Sequence, residues 1–386
     1  MDNNKAIEYI TSRDWRGSRL GLERMGKLLA LLDNSHRKLK YVHVAGTNGK
    51  GSVCVMLARV LTEAGYKTGL YTSPYINRFH ERIQIDGEPI RNESLISLAE
   101  KVRRAAEQMD DHPTEFEMIT AIGFEYFHES ACDIVVLEVG LGGRLDATNI
   151  IPAPEVAIIT PISLDHTEQL GGTVDKIAAE KAGVIKSDGP VISSPQAPDA
   201  EKELRRAALS QGVGIEFVNP SDITVSENSL NGQIFSFKGL TDLKISLLGA
   251  YQPENAAAVI LAAERLREAG WRISDAAIYK GLADARWPAR FEIVHRNPSV
   301  IVEGGHNPKC AECLSDNLRA YFPDKQVSFV IGVMADKDFQ SMFSKIIPFA
   351  KRVFTVTPDN DRALDAGMLA EYFRERGVRS CRLRRT

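Results

Sequence analysis

Uninterrupted apolar runs alternate with helical patterns through the first half of the chain. Runs without a polar face, at 41–45, 133–139 and 156–161, are typical of parallel strands buried on both sides. The other patterns predict short strands at 67–72, 83–87 and 190–194, and helices at 4–33 (interrupted at 16–18), 52–64, 92–110, 114–128 and 173–184. Strands that alternate with helices indicate right-handed crossovers and therefore a doubly wound, mostly parallel sheet.

The pattern changes in the middle of the chain and then returns to alternation. Residues 214–248 favour strands with a hairpin at Asn231-Gly232, and two helices follow, at 253–270 and from 274. Beyond Trp287-Pro288 the patterns predict strands at 299–303, 327–333, 351–356 and 378–383, and helices at 308–321, 338–349 and 362–376. We therefore predict an α/β protein of two domains, a larger one at 1–284 and a smaller, Rossmann-like one at 285–386.

The loop after the first buried strand has the composition of a phosphate-binding site. Residues 46–52, GTNGKGS, place three glycines and Lys50 between a strand and a helix, as in P-loop domains. The usual loop has a hydroxyl directly after the lysine, as a magnesium ligand, but here Gly51 follows and Ser52 comes one place late. A magnesium ion would need another oxygen. A glycine turn that merely joins strand to helix remains an alternative.

Side chains with useful chemistry follow other predicted strands. Ser73, Glu138 and His166 lie at or just past strand ends, where ligands gather in open α/β sheets. Glu138 is the natural carboxylate for magnesium and Ser73 could supply the hydroxyl, although a solvent-facing strand end, a Ser-Pro turn and a packed histidine are the alternatives. If metal cations are bound with the phosphates nearby, a protonated Lys181 would be repelled by them. Its neutral amine could instead react with carbon dioxide to give an anionic carbamate, while a surface lysine is the alternative.

Composition excludes several classes of function. The net charge of −3 argues against a generic nucleic-acid or membrane-surface binder, and no apolar run approaches the ~20 residues that span a bilayer. The first residues lack the apolar segment of a signal peptide, and five scattered cysteines fit a reducing compartment. Cys310 and Cys313 have metal-like spacing but no second pair, which favours two semi-buried thiols. We expect a cytoplasmic monomer.

Together the motifs resemble those of the folylpolyglutamate synthase/dihydrofolate synthase family within the Mur ligase superfamily. The resemblance covers nearly the whole chain in order, and the run at 137–149 is its most specific part. It is carried by GTNGKGS at 46–52, YTSP at 71–74, TEFE at 114–117, LEVGLGGRLDATN at 137–149, LDHT at 164–167, EKAG at 180–183, QPEN at 252–255, WPAR at 287–290 and GHNP at 305–308.

This resemblance implies an ATP-dependent ligase with two magnesium sites and assigns its residues. Ser73 and Glu138 would bind the first magnesium, and Glu138 with His166 the second, together with a carbamylated Lys181. The catalytic residues would be Lys50, His166 and Lys181; the ATP-binding residues Gly49, Lys50, Gly51, Ser52, Asn255, Arg290, Glu303 and His306; and the folate-binding residues Thr114, Glu115, Phe116, Glu117, Leu145, Asp146 and Ala147.

The implied reaction transfers the γ-phosphoryl group of ATP to a carboxylate of a folate, either tetrahydrofolate or dihydropteroate. The amine of L-glutamate then attacks the acyl phosphate and phosphate leaves. Lys50 and the two magnesium ions would offset charge on the transferring phosphoryl group. Two other functions stay open: a nucleotide-dependent small-molecule kinase, and a non-catalytic relative that binds folate or nucleotide.

The chain departs from the family pattern at two places. Relatives usually have aspartate where this chain has Glu303, so the carboxylate would meet the nucleotide differently. Relatives also usually continue beyond the position of Thr386 with a further helix and strand. We therefore expect a truncated smaller domain or one whose sheet lacks an edge.

Overall fold

The computed structural model describes residues 2–12 and 19–383, and its chain divides into two compact units. The larger unit extends to Pro288, apart from 229–231 and 247–251, which group with the smaller unit that begins again at Ala289. The helix interruption predicted at 16–18 lies outside the described residues. Within the described ranges, no helix combines the length and apolar surface that crossing a bilayer requires.

The described helices and strands follow the predicted alternation. The helices are α1 (Asn3–Ile10), α2 (Glu23–Ala30), α3 (Lys50–Glu63), α4 (Asn92–Ala106), α5 (Glu115–Glu129), α6 (Thr167–Leu170), α7 (Val174–Lys181), α8 (Pro198–Ser210), α9 (Gln252–Glu268), α10 (Asp275–Asp284), α11 (Pro308–Tyr321), α12 (Phe339–Ser344) and α13 (Ala366–Arg374). The strands are β1 (Tyr41–Ala45), β2 (Thr68–Tyr71), β3 (Ile83–Ile85), β4 (Glu88–Pro89), β5 (Ile134–Glu138), β6 (Val156–Ile159), β7 (Val191–Ser193), β8 (Ile215–Phe217), β9 (Ile223–Ser229), β10 (Gly232–Phe237), β11 (Leu240–Ile245), β12 (Glu292–Arg296), β13 (Ser299–Val302), β14 (Val327–Ile331), β15 (Ala350–Thr355) and β16 (Ser380–Arg382).

One large sheet organises the larger unit. Its strand order is β4-β3-β2-β5-β1-β6-β7-β8, parallel from β2 to β8 with an antiparallel edge at β3 and β4. Every residue of β1 and β5 is buried, as expected for strands covered on both faces. The predicted doubly wound, mostly parallel sheet is confirmed.

The register of the central strands brings three loops to one edge of this sheet. Val44 of β1 pairs with Glu138 of β5, and Leu137 of β5 pairs with Tyr71 of β2. Because these strands are parallel, the segments that begin at Gly46, Thr72 and Val139 leave the sheet side by side. The sheet topology therefore decides which loops can share a ligand.

The smaller unit contains a parallel sheet in the order β14-β15-β16 and a hairpin of β12 and β13. The predicted helix 338–349 is shorter than expected: α12 ends at Ser344, and a 3-10 turn follows at Ile347–Phe349. Pro348 has no backbone N–H and so does not continue an α-helical ladder. The sequence pattern did not indicate β12 or helix α8, and β12 is half-exposed without a clean apolar face.

Candidate active site

Three strand ends of the larger sheet bring Lys50, Ser73 and Glu138 together. The backbone N–H of Ser73 donates to Glu138 Oε2 at 3.2 Å, and Lys50 Nζ lies 4.0 Å from Glu138 Oε1. The Lys50 ammonium also donates to the carbonyl oxygen of Thr47 at 3.3 Å. Glu138 is only 4% exposed, so little water screens its attraction to the lysine. The arrangement places one carboxylate and one cation at the end of the phosphate loop.

The first half of the phosphate loop is bound to the segment that follows β6. The N–H groups of Thr47 and Asn48 donate to the carbonyl oxygen of Pro161 at 3.0 and 3.2 Å. The Thr47 hydroxyl donates to the carbonyl oxygen of Ser163 at 3.1 Å. The first turn of helix α3, which begins at Lys50, has no preceding helical carbonyls to accept from its N–H groups. These N–H groups are therefore the ones suited to an anion.

The structure explains why a hydroxyl does not follow Lys50. A β-carbon at Gly51 would lie 2.7 Å from Cζ2 of Trp287, closer than real side chains approach. Ser52 is buried, and its hydroxyl accepts from Gln252 Nε2 at 3.3 Å. Neither position is arranged to present a hydroxyl oxygen to a metal at the phosphates. Ser73, beside Glu138, is a hydroxyl residue that the fold brings to the same edge.

Helix α9 supports the phosphate loop from its first turn. The amide oxygen of Asn255 would lie 2.8 Å from a β-carbon at Gly49, whose φ of +89° itself favours glycine. Asn255 Nδ2 donates to Gln252 Oε1 at 3.0 Å, and Gln252 in turn reaches Ser52. The sequence reasoning gave Gln252 no site role. The available signal was an amide side chain at the start of a helix whose following residues are largely apolar, because a buried amide there needs a partner.

Lys181 is buried beneath the loop. It is 5% exposed, and its Nζ donates to the carbonyl oxygen of Gly46 at 2.7 Å. Burial, followed by the nearby charge of Lys50, lowers the pKa of Lys181 from 10.5 to about 7, against the opposing attraction of Asp165 and Asp146. The surface-lysine alternative is therefore wrong. Near neutral pH a large fraction of this amine is uncharged and nucleophilic.

His166 follows strand β6 and contacts its neighbour Asp165. It has a φ of +49° and precedes the short helix α6. Its backbone N–H donates to Asp165 Oδ1 at 2.9 Å, and its Nε2 lies 3.8 Å from the same oxygen, with the side chain 42% exposed. Asp165 also acts electrostatically on Lys181. Asp165 belongs to the LDHT motif at 164–167 but had no site role predicted from the sequence.

The predicted folate residues at the start of α5 have structural contacts of their own. Thr114 and Glu117 form a capping box: Thr114 N donates to Glu117 Oε2 at 2.7 Å, and Glu117 N donates to Thr114 Oγ1 at 3.3 Å. Arg24 Nε also donates to Glu117 Oε2, at 3.1 Å. Between them, Glu115 Oε1 lies 4.0 Å from Arg82 and the half-buried Phe116 ring packs edge-on against Tyr71. Their contact with a folate stays a prediction.

Asp146 shapes the loop that follows β5. Its buried carboxylate accepts from the N–H of Leu141 at 2.8 Å and of Thr148 at 3.0 Å. Burial raises the pKa of Asp146 even though these hydrogen bonds favour the charged form. Leu145 is half-buried and Ala147 is buried. Asp146 therefore fixes the conformation of Leu145 and Ala147, whose proposed contact with a folate likewise stays a prediction.

The predicted nucleotide residues of the smaller unit surround Glu303. Its carboxylate accepts from Phe291 N at 3.0 Å and from Gly305 N at 2.7 Å, and Arg290 Nη1 lies 3.8 Å from Oε1. Burial raises the pKa of Glu303. Glu303 therefore ties the turn before β12, which carries Arg290, to the turn after β13. His306, near the start of α11, is exposed. The role of these side chains at a nucleotide stays a prediction.

The residues around Glu138 fit a magnesium ion. Within the described residues, no three His, Cys, Asp or Glu side chains form a metal cluster. Magnesium at nucleotide sites is commonly held by one or two carboxylates together with substrate phosphates and water, so a dedicated cluster is not required. Glu138 and Ser73 supply a buried carboxylate and a hydroxyl next to the phosphate loop.

The chain is similar to known proteins over nearly its full length. Residues 44–263 match the family model of the Mur ligase middle domain, and residues 289–385 match that of the Mur ligase glutamate ligase domain. The dihydrofolate synthase/folylpolyglutamate synthase of Bacillus subtilis (strain 168) is 38% identical over 372 residues, which are 92% of this chain and 86% of that relative.

Solved structures give the same similarity in three dimensions. The Mycobacterium tuberculosis folylpolyglutamate synthase, complexed with ADP and AMPPCP, has a TM-score of 0.89 at 30% identity, and the match covers 99% of this chain and 89% of that chain. A second structure, an FPGS-AMPPCP-folate complex, has a TM-score of 0.86 at 33% identity, covering 99% of this chain and 96% of that chain.

Proposed function

We infer that this chain, which belongs to the folylpolyglutamate synthase/dihydrofolate synthase family of Mur ligases, ligates L-glutamate to a folate carboxylate at the expense of ATP. The observation that carries the inference is the meeting of Lys50, Ser73, Glu138 and Lys181 at one edge of the sheet. Cations and carboxylates gathered at a phosphate loop are what phosphoryl transfer requires. The nucleotides and folate bound by solved relatives support ATP and a folate as substrates.

The proposal keeps the residue assignments made from the sequence. Residues 1–284 would form the ATP-binding domain and residues 285–386 the C-terminal domain of a monomer. The five cysteines are free, which fits the proposed cytoplasmic location. The proposed ATP-binding residues are Gly49, Lys50, Gly51, Ser52, Asn255, Arg290, Glu303 and His306, and the proposed folate-binding residues are Thr114, Glu115, Phe116, Glu117, Leu145, Asp146 and Ala147.

Lys50 and the first turn of α3 would bind and orient the triphosphate. Lys50 is held between Thr47 and Glu138, so its ammonium is already aimed before the substrate binds. Ser73 and Glu138 would hold one magnesium ion, and Glu138, His166 and a modified Lys181 the second; the ions would neutralise charge on the transferring phosphoryl group. Glu138 is buried and close to Lys50, so its negative charge would offset the positive charge of the lysine when no nucleotide is bound.

Lys181 is proposed to carry a carbamate. Its neutral amine would add to the carbon of CO2, forming an N–C bond as one C=O π bond breaks, and one proton would be released. The product is an anion with two oxygens, which could join Glu138 and His166 as a ligand. The lowered pKa of Lys181 supports this step because only the neutral amine is a nucleophile.

The reaction would proceed through an acyl phosphate. A folate carboxylate attacks the γ-phosphorus of ATP and ADP leaves, which converts a poor electrophile into one with a good leaving group. The amine of glutamate then attacks the acyl carbon, phosphate departs and the amine loses a proton. Enzymes that transfer phosphoryl groups accelerate the reaction mainly by positioning the reactants and by stabilising charge. Their side chains form no covalent bond to the phosphoryl group in this type of step.

ADP release tests this function directly. We expect ADP release only when MgATP, a folate acceptor and L-glutamate are all present, with dihydropteroate and tetrahydrofolate tested separately. A kinase would release ADP without glutamate and leave a stable phosphorylated product. Nucleotide binding with no turnover under any of these conditions would indicate a non-catalytic relative and contradict the proposal.

The rate of Lys181 carbamate formation should rise with pH and then level off. With a pKa of about 7, Lys181 is about nine-tenths protonated at pH 6 and about one-tenth at pH 8, so the neutral fraction rises about tenfold and then saturates. The initial rate of labelling by ¹³CO2 at fixed dissolved CO2, followed by ¹³C NMR, measures this. A rate that keeps climbing to pH 10 is the behaviour of an ordinary lysine and would contradict the expectation. Lys181→Ala supplies the blank.

A further inference from the structure

We propose that Trp287 is a positioning residue of the phosphate loop: its indole occupies the space of a side chain at position 51 and thereby fixes the first turn of α3. The proposal rests on the proposed use of this loop to bind ATP. It accounts for a glycine where phosphate loops usually have serine or threonine. It also gives a function to the segment before Pro288, which the catalytic assignments leave unused.

The contact between Trp287 and Gly51 involves the body of the indole. A β-carbon at Gly51 would lie 2.7 Å from Cζ2 and 2.8 Å from both Cε2 and Nε1 of Trp287. Trp287 is itself half-buried, so the ring lies against the loop rather than free in solvent. Three ring atoms this close leave no room for even a methyl group unless the ring or the helix start moves.

Backbone conformation does not explain the glycine at position 51. Gly49 has a φ of +89°, which favours glycine whatever its neighbours, but Gly51 lies inside α3 and has no positive φ. Glycine is also the poorest helix former apart from proline. The close approach of Trp287 is therefore the feature of the structure that requires glycine at this position.

The location of the contact determines its effect. Gly51 follows Lys50 directly, and the N–H groups of this turn are the ones that face a phosphate. Anion binding by such a turn depends on several N–H groups pointing at one place, and a fixed turn loses less entropy on binding. The Trp287 indole lies against Gly51 on one side of the turn. From α9, Gln252 donates to Ser52 of the same turn and accepts from Asn255. Removing the indole should therefore weaken binding of the phosphates rather than of the nucleoside.

A double-mutant cycle tests the proposal. Wild type, Gly51→Ala, Trp287→Ala and the double variant are titrated with Mg-AMPPCP and, separately, with AMP, which lacks the β and γ phosphates. We expect Gly51→Ala to weaken AMPPCP binding about tenfold or more and Trp287→Ala to weaken it several-fold. The double variant should bind AMPPCP more tightly than Gly51→Ala, because removing the indole makes room for the new methyl group. AMP binding should change little in any variant.

Matched controls separate the contact from general effects. Gly214 has open space at its β-carbon and no positive φ, so Gly214→Ala is the control for adding a methyl group. If Gly51→Ala is too unstable to titrate, the same four proteins can be compared by their melting temperatures. The double variant should then melt at a higher temperature than Gly51→Ala. The proposal would be overturned if Gly51→Ala lowered the affinity for AMPPCP equally in the presence and absence of Trp287. It would also be overturned if Trp287→Ala lowered the affinities for AMP and AMPPCP equally. Wild-type protein that binds no AMPPCP would instead overturn the proposed function.

Discussion

Lys181→Ala is expected to lower kcat for ligation by about 10³-fold or more while leaving ATP binding nearly unchanged. The lysine lies beneath the loop, hydrogen-bonded to Gly46, with a pKa near 7, so its proposed carbamate would provide ligand oxygens that alanine lacks. Initial rates of glutamate-dependent ADP release and nucleotide titration measure the two effects. Lys181→Arg should also be inactive, because a guanidinium keeps the charge and does not form the carbamate.

Rescue and a matched variant make the Lys181 result specific. The alanine variant leaves space where the lysine side chain was, so small carboxylic acids such as formate or acetate should restore part of the activity. Lys186 is a half-buried lysine whose pKa is also lowered by burial, to about 8, but it donates to the carbonyl oxygens of Asn149 and Ile151. Lys186→Ala should reduce stability without rescue by carboxylic acids. Full activity of Lys181→Ala would rule out the carbamate.

Glu138→Gln is expected to lower kcat by about 10²- to 10³-fold. The amide has nearly the same shape and can still accept from Ser73 N, but it lacks the negative charge that lies 4.0 Å from Lys50 and that would hold magnesium. The affinity for Mg²⁺ in the presence of ATP, measured by titration of activity with Mg²⁺, should fall together with kcat. The variant should still fold, because the amide keeps the shape of the side chain and its hydrogen bond from Ser73 N.

A comparable change at a half-buried carboxylate on helix α8 controls for the Glu138 result. Glu203 forms an ion pair with Arg206 on the outer helix α8, so Glu203→Gln should leave both kcat and the Mg²⁺ requirement unchanged. Wild-type turnover and an unaltered Mg²⁺ requirement in Glu138→Gln would contradict its assignment as a metal ligand. A lowered melting temperature with normal kcat would point to a purely structural carboxylate.

Local sequence was enough to predict the sheet and to select Lys50, Ser73 and Glu138, which the fold brings together. Apolar runs such as β1 and β5 determine which strands are buried, and parallel connections place their carboxyl ends at one edge. Lys50, Ser73 and Glu138 could be predicted because Glu138 ends a strand, Ser73 lies two positions after a strand, and Lys50 lies in the glycine-rich loop pattern that follows a strand. The glycine-rich composition of the loop is a local signal, so a phosphate site there could be predicted before the distant residues that support the loop were known.

Tertiary packing decided what those residues experience. Burial and the charge of Lys50 lower the pKa of Lys181, and its hydrogen-bond partner Gly46 lies 135 positions away in the sequence. The hydroxyl of Ser52 accepts from Gln252, 200 positions away. The requirement for glycine at position 51 depends on Trp287. The carboxylate of Glu303 accepts hydrogen bonds from two backbone N–H groups. The sequence by itself determined which segments form buried strands, where the glycine-rich loop lies and which residues follow the strand ends. These features depend on local periodicity and backbone preference. Desolvation, steric contact and electrostatic neighbours depend on which distant atoms fill the surrounding space, and only the folded chain defines that.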